Sequence, residues 1–209
     1  MDIFDEEFRK LKYSFKKKRT KLAWLGAYGV KEYDTEHRRM TRDFDAITLP
    51  SEVLKVREVM ESLSWREIRS PLTRKGELTF TKKVRGKELK LDVYTEGKLY
   101  DFEHTRVEYN LLDVLERLYS DPLPPTNLAI SKLMIKPPLS SEHKYDLTRL
   151  LLKTKLNPND FTRDIARNFW LRKRVKRNML DLRDFVKGAP WLTIRERRIV
   201  LKKIRELIY

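Results

Sequence analysis

Three carboxylates carry the chemistry this sequence offers. In Asp43-Phe44-Asp45 the two acids lie two residues apart, and in a strand that spacing sends both side chains to one face while Phe44 enters the core. Two like charges held so close repel, and the arrangement becomes favourable when a hard dication such as Mg²⁺ bridges them to phosphate oxygens. A third acid stands in Leu89-Lys90-Leu91-Asp92-Val93-Tyr94. There the leucines and Val93 make a core face, and Asp92 projects opposite them with Lys90 and Tyr94. If the two strands are neighbours, Asp43, Asp45 and Asp92 form the ligand set of a two-metal phosphoryl-transfer site. Acids on the polar face of a sheet are equally what a plain solvated surface presents, so the elements that position them decide between the two.

Those elements are legible as periodicities. Phe4, Phe8, Leu11 and Phe15 recur at helical spacing, which predicts an amphipathic helix over residues 3–18 with a polar face mostly of Lys and Arg. KLAWLGAYGV is an apolar run broken by Gly26 and Gly29, and in RDFDAITLP charged and apolar positions alternate; the two read as neighbouring strands. SEVLKVREVMESLSW opens on Ser51, a good N-cap, and carries Val53, Val56, Val59, Met60 and Leu63 on one face, so it reads as a helix lying on the sheet. ELTFTKKV and ELKLDVYTE alternate with period two around Arg85-Gly86-Lys87, the pattern of an antiparallel hairpin. From Tyr109 onward the strands are expected to stop. YNLLDVLERLYS, TNLAISKLMIK and YDLTRLLLKTK read as helices, separated by DPLPP and by Pro137-Pro138.

This order predicts an α/β (α+β) chain, a small mixed sheet flanked by helices and followed by a helical C-terminal region. The expected divisions are an N-terminal helix over 1–20, a mixed domain over 21–156 and a basic helical region over 157–209.

Composition narrows the classes. Of 209 residues, 37% are charged against about 25% in typical proteins, yet 40% are apolar and 11% aromatic, which excludes general disorder. The net charge of +16 draws polyanions such as nucleic acid or nucleotide phosphates. With no cysteine, a disulfide scaffold, a Cys-ligated zinc and a thiol nucleophile are excluded. With only His37, His104 and His143, any metal is expected on carboxylates. No segment approaches the roughly 20 apolar residues of a membrane span, so the expectation is a cytoplasmic protein with no membrane partner. Absence of glutamine, with abundant Glu, Lys and Arg, is the composition of a hyperthermophile.

Residues 22–152 resemble the nucleotidyltransferase superfamily related to DNA polymerase beta, and especially its abortive-infection toxin-like branch. The likeness rests on motifs in order. The glycine-containing turn LGAYG precedes Arg39-Met40-Thr41-Arg42-Asp43-Phe44-Asp45, which fits that branch's Arg-x-Thr-x-Asp-x-Asp pattern. The strand LKLDVYT offers Asp92 as the third acid, and AISKLMIK and EHKYDLTRLL resemble the helical Lys-Leu and Asp-Leu motifs, with Lys132 and Asp146 at the matching positions.

The resemblance implies transfer of a nucleoside monophosphate from a nucleoside triphosphate to an acceptor hydroxyl on RNA, protein or a small molecule, with release of pyrophosphate. Asp43 and Asp45 would hold Mg²⁺ (or Mn²⁺) and the triphosphate, and Asp92 the metal that activates the attacking hydroxyl. Gly26 and Gly29 would let the backbone approach the phosphates, unless they only turn the chain between strand and helix. Arg39, Thr41 and Lys132 would supply hydrogen bonds and charge to the triphosphate. The Gly-Ser pair of many active members is absent from LGAYG. Two rival readings are a non-catalytic nucleic-acid-binding protein with this fold and a toxin-antitoxin component that works through a partner protein.

The tail from residue 163 holds 15 Lys or Arg against 5 Asp or Glu, a net +10. In NFWLRKRVKRNML, Arg172, Lys173, Arg174, Lys176 and Arg177 lie among aromatic and apolar residues. Such a face could track the phosphates of RNA or DNA while Phe169 or Trp170 stacks on a base, or it could be a solvated helix face.

Overall fold

A computed structural model describes residues 2–37, 39, 41, 43–68, 76–101 and 104–208. The chain begins with helix α1 (Ile3–Lys17), strand β1 (Leu22–Trp24), helix α2 (Gly26–Lys31) and strand β2 (Asp43–Thr48). A 3₁₀ turn (Pro50–Glu52) leads into α3 (Val53–Ser62), followed by β3 (Arg66–Ile68), β4 (Glu77–Val84), β5 (Lys87–Tyr94), β6 (Lys98–Asp101) and β7 (His104–Asn110). Then come α4 (Leu112–Leu115), β8 (Asp121–Pro122), α5 (Pro125–Leu133), α6 (Ser141–Lys153), α7 (Pro158–Ala166), α8 (Phe169–Gly188) and α9 (Ile194–Ile208). The architecture is the mixed α/β arrangement that the periodicities predict.

The chain divides into two compact units. The first comprises Met1–Gly29, Met40–Leu99 and Asn110–Leu123, and the second Val30–Arg39, Tyr100–Tyr109 and Pro124–Tyr209.

The first unit is built on a mixed sheet in the order β3-β4-β5-β2-β1-β8, in which β2 runs parallel to β5 and antiparallel to β1. The outer face of α1 is charged, and its stripe of Phe4, Phe8, Leu11 and Phe15 is buried, as a 3.6-residue period requires. Asp5 and Glu6 in the first turn and Lys16 and Lys17 in the last complement the helix dipole. Phe8 sits at the middle of an aromatic cluster, 4.8 Å from the Trp24 ring, 4.4 Å from Tyr28 and 6.0 Å from Phe44. Val56, Val59 and Met60 of α3 join the same core, which meets the sheet at Phe44, Ala46, Phe80, Leu89, Leu91 and Val93.

The second unit gathers α5–α9, and its helix ends carry the caps their sequences offer. Asn157, with Pro158 at the first helical position, caps α7, and Asn168 accepts the Leu171 N–H at 2.9 Å at the start of α8. Thr193 and Glu196 form a reciprocal capping box on α9: Thr193 N–H donates to Glu196 Oε2 at 2.9 Å and Glu196 N–H to Thr193 Oγ1 at 3.2 Å. Among the described residues, no helix is long and apolar enough to cross a membrane.

Several local expectations need correction. The run KLAWLGAYGV is strand only to Trp24, because Gly26, at φ +57°, turns the chain into α2. Ser51 lies inside the 3₁₀ turn and does not cap α3. Of YNLLDVLERLYS, only Leu112–Leu115 is α-helical. Strands do not stop at Tyr109, since β7 runs to Asn110 and Asp121–Pro122 adds a short parallel edge beside β1. Two residues are too few to show a periodicity, so β8 has no sequence signature.

Candidate acidic site and the buried Asp146 cluster

The acids are set by the phase of β2. Phe44 and Ala46 are fully buried in the core, so the alternation of a strand turns Asp43 and Asp45 to the opposite face of the sheet. A slip of one residue would reverse this and force both carboxylates into the apolar layer, which is why the register is firmly specified. Parallel pairing with β5 then sets Asp45 opposite Asp92 and Asp43 opposite Lys90. The three acids thus share one face on adjacent strands.

Their surroundings differ. Asp43 is exposed, Asp45 half-buried and Asp92 buried. Thr79 Oγ1 donates to Asp92 Oδ1 at 2.8 Å and Lys90 Nζ to Oδ2 at 2.7 Å. Thr79 arrives there because the hairpin turn at Arg85-Gly86, with both φ positive (+48° and +78°), pairs Val84 with Lys87 and hence Thr79 with Asp92. Burial works against the Lys90 ammonium, but its hydrogen bond to Asp92 and the charges of Asp92 and Asp43 outweigh that and hold its pKa above the usual lysine range. Lys90 is therefore the cation that this acidic face has gathered.

Gly26 is the closest approach to the acids from α2. Its φ of +57° lies in the left-handed region, and a Cβ there would fall on the Asp45 carboxylate. The Leu25 N–H also donates to the Asp45 carbonyl at 2.8 Å, so this turn is fastened to the acid-bearing strand. Gly29 is different: it is buried within α2, and its N–H is spent on the Leu25 carbonyl at 2.7 Å. Thr41 hydrogen-bonds locally, its Oγ1 accepting the Asp43 N–H at 3.4 Å. Met40 and Arg42, interleaved in the same motif, lie outside the described residues.

The remaining motif residues meet in the second unit, around a different aspartate. Asp146 on α6 is fully buried and accepts from Lys132 Nζ at 2.7 Å, from Arg39 Nη1 at 2.5 Å and from His37 Nε2 at 2.8 Å. Arg39 also reaches Glu142, at 2.8 Å. Burial alone would raise the Asp146 pKa, but the Lys132 charge, the hydrogen bonds from His37 and Lys132 and the Arg39 charge together hold it well below the usual carboxylate range. The aspartate is anionic and both its oxygens are hydrogen-bonded, while His37 Nδ1 and Arg39 Nε at the edge of the cluster are buried without a partner among the described residues.

Arg39 and Lys132 are thus brought together, on Asp146. His37 carries no motif signal at its position, and nothing in a sequence separation of 109 residues could have joined it to Asp146. Lys90 and Thr79, by contrast, were recoverable: hairpin and turn together dictate which residues flank Asp92.

For a metal, the donor chemistry is right and the pre-organisation is partial. Asp43 and Asp45 are hard oxygen donors on one face, of the kind Mg²⁺ takes, and Lys90 already stands in as a cation beside Asp92. Among the described residues, no three acidic or histidine side chains converge as they stand to hold one ion. Asp92 already has one hydrogen bond on each oxygen, from Thr79 and from Lys90. Comparison with protein-family models gives no match, and neither does comparison with curated proteins.

Proposed function

We propose that the chain is a Mg²⁺-dependent nucleotidyltransferase, moving a nucleoside monophosphate from a nucleoside triphosphate to an acceptor hydroxyl with release of pyrophosphate. The observation that carries this reading is the β2–β5 register, which makes Asp45 and Asp92 direct neighbours and adds Asp43 on the same face, turned away from the core. It is the placement that the resemblance to the polymerase-beta-like superfamily requires of its three acids.

On this reading Asp43 and Asp45 would hold the dication and, through it, the triphosphate. When bound, the ion would supply charge neutralisation and Lewis acidity to the phosphates. Asp92 would serve the acceptor side, and Lys90, paired with it at 2.7 Å, is a cation beside the place where negative charge would develop. In the transfer itself the bond from the acceptor oxygen to the α-phosphorus forms as the bond from that phosphorus to the bridging oxygen breaks, the electron pair leaves with pyrophosphate, and the proton of the acceptor hydroxyl passes to water. Gly26 keeps the α2 turn close enough to hold Asp45 in place.

A second reading has an observation of its own: with both Asp92 oxygens engaged by Thr79 and Lys90, the fold could serve binding without transfer. Such a chain would bind a polyanionic partner, nucleic acid or a toxin-antitoxin partner protein, through its basic surface.

The two separate in one experiment. The full chain is incubated with each labelled nucleoside triphosphate, Mg²⁺ and total cellular RNA and protein, and the labelled products are resolved. Labelled acceptor that disappears with Asp45→Asn supports transfer and names nucleotide and acceptor together. No label with any triphosphate, alongside no detectable Mn²⁺ binding by electron paramagnetic resonance, rejects it.

A further inference from the structure

The outward face of α8 has a composition that burial does not explain. Leu171, Val175, Met179, Leu182 and Val186 are buried on one side of this 20-residue helix. At 100° per residue the opposite side carries Arg172, Lys173, Lys176 and Arg177, all exposed. Arg174, the fifth cation of the run, is partly turned in, and its Nη1 donates to the Met134 carbonyl at 3.4 Å.

Four cations within two turns repel one another at i,i+4, which weakens the helix. Elsewhere the chain relieves such charge with carboxylates, as at Lys10 with Glu6 and Glu7, Arg163 with Asp160 and Lys187 with Asp184. Among the described residues Arg172, Lys173, Lys176 and Arg177 have no ion pair. A face meant for solubility or for heat-resistant charge networks would interleave acids here, and this one does not.

At the head of the same face stand two large rings that the core leaves outside. Phe169 is 69% exposed and Trp170 42% exposed, edge-to-face with centroids 5.4 Å apart. The Arg106 guanidinium and the Lys173 ammonium lie 5.7 and 5.9 Å from the Trp170 ring centroid. Flat aromatic surface bordered by cations at the end of a cationic stripe matches a chain of phosphates with unpaired bases. Successive phosphates meet the stripe, and a base, whatever its identity, meets the ring. An acidic protein segment would match the charge but leave the rings exposed, and a duplex would hide its base faces.

We propose that the outward face of α8 binds a single-stranded polynucleotide, with Arg172, Lys173, Lys176 and Arg177 on its phosphates and Trp170 under a base. From Phe169 to Arg177 the helix advances about 12 Å, room for roughly four stacked nucleotides at 3.4 Å each. The proposal does not rest on nucleotidyl transfer, because binding requires neither metal nor triphosphate.

The test is fluorescence anisotropy of the full chain with labelled oligouridine and oligothymidine of about twelve nucleotides, in chelator, across a salt series. The expected wild-type slope of log affinity against log salt is about −3, four phosphates at roughly 0.7 each. The triple variant R172Q/K176Q/R177Q should flatten it by about two and weaken binding at least about tenfold at low salt. Trp170→Ala should weaken binding about tenfold at unchanged slope. A matching three-charge change on α9, R195Q/R198Q/R205Q, controls for general charge and should cost far less. Salt-independent or undetectable wild-type binding would overturn the proposal. So would an α9 variant as damaged as the α8 variant, a duplex bound as well as the strand with Trp170→Ala neutral, or anionic vesicles displacing the strand. Unchanged circular dichroism shows that each variant is folded.

Discussion

Aspartate is used in opposite ways in the two units. In the first, Asp43 and Asp45 stand on the sheet face turned from the core, one exposed and one half-buried, held by strand register. In the second, Asp146 is fully buried and surrounded by Lys132, Arg39 and His37. A buried carboxylate held by three hydrogen bonds from cationic and imidazole groups organises its neighbours and is expensive to disturb. Carboxylates that crowd each other at a water-facing surface contribute little to folding and remain able to take a metal ion. On the proposed reading the motifs of the sequence divide into acids placed for chemistry and an acid placed for architecture, though all look alike as letters.

The largest effect expected from this contrast is functional. Asp43→Asn or Asp45→Asn should abolish nucleotidyl transfer, and at the exposed Asp43 the change should shift unfolding free energy by no more than about 0.5 kcal/mol, as surface substitutions do. Parallel turnover and urea-denaturation measurements check both halves, and wild-type turnover in either variant would falsify the metal assignment. Asp146→Asn should reverse the pattern. Removing the anion leaves Lys132 with an uncompensated buried charge, while Arg39 keeps Glu142, at a cost of about 3–5 kcal/mol. Replacing the pair together, Lys132→Met with Asp146→Leu, should recover a large part of that loss. Because the Asp146 pKa is depressed in the folded state, its contribution is complete above the unfolded value near 3.9 and is lost only as pH falls through the lower folded value.

A smaller effect tests the fastening of Asp45. Gly26→Ala and Gly86→Ala both put a Cβ on a positive-φ residue, but only Gly26 has the Asp45 carboxylate in the way, while nothing lies within 4 Å at Gly86. Gly86→Ala should cost about 1 kcal/mol of strain and Gly26→Ala about 1–3 kcal/mol. Only the second should also weaken Mn²⁺ binding, read by paramagnetic resonance.

The smallest concerns His143, beside the buried cluster. Burial and the charges of Lys132 and Arg39 outweigh Asp146 and Glu142 and hold its imidazole below the ordinary value. A depressed folded pKa means that the folded state binds fewer protons, so stability is complete above about pH 6.5, falls as pH drops through that value, and levels off below the folded pKa. Urea midpoints at several pH values between about 8 and 5 should show this small step in the wild type and its loss in His143→Gln.

Much of this was legible because it is local. Alternation around Phe44 set the faces of Asp43 and Asp45, and the hairpin at Arg85-Gly86 set the neighbours of Asp92. A period of 3.6 exposed both the aromatic stripe of α1 and the outward cations of α8, as the burial of Phe8 and Leu171 bears out. Each is dictated by geometry that a few consecutive residues determine, so a single sequence suffices.

What the sequence could not decide was pairing at a distance. Lys132 and Arg39 have the types of phosphate ligands, yet in the folded chain both are bonded to Asp146, with His37 added from 109 positions away. Whether a lysine meets a phosphate or an aspartate depends on which helix packs beside which, and that is settled by the whole set of buried contacts. Likewise the letters place Asp92 opposite the core, but only the register of β5 against β2 makes it the neighbour of Asp45. By itself the sequence determined which apolar stripes face the core in strongly periodic elements such as α1, β2 and β5, because the period of each element is written into it. The tertiary structure alone decided which polar residues far apart in the chain are partners, because a hydrogen bond needs two groups within about 3 Å and distance between remote segments is not a property of sequence.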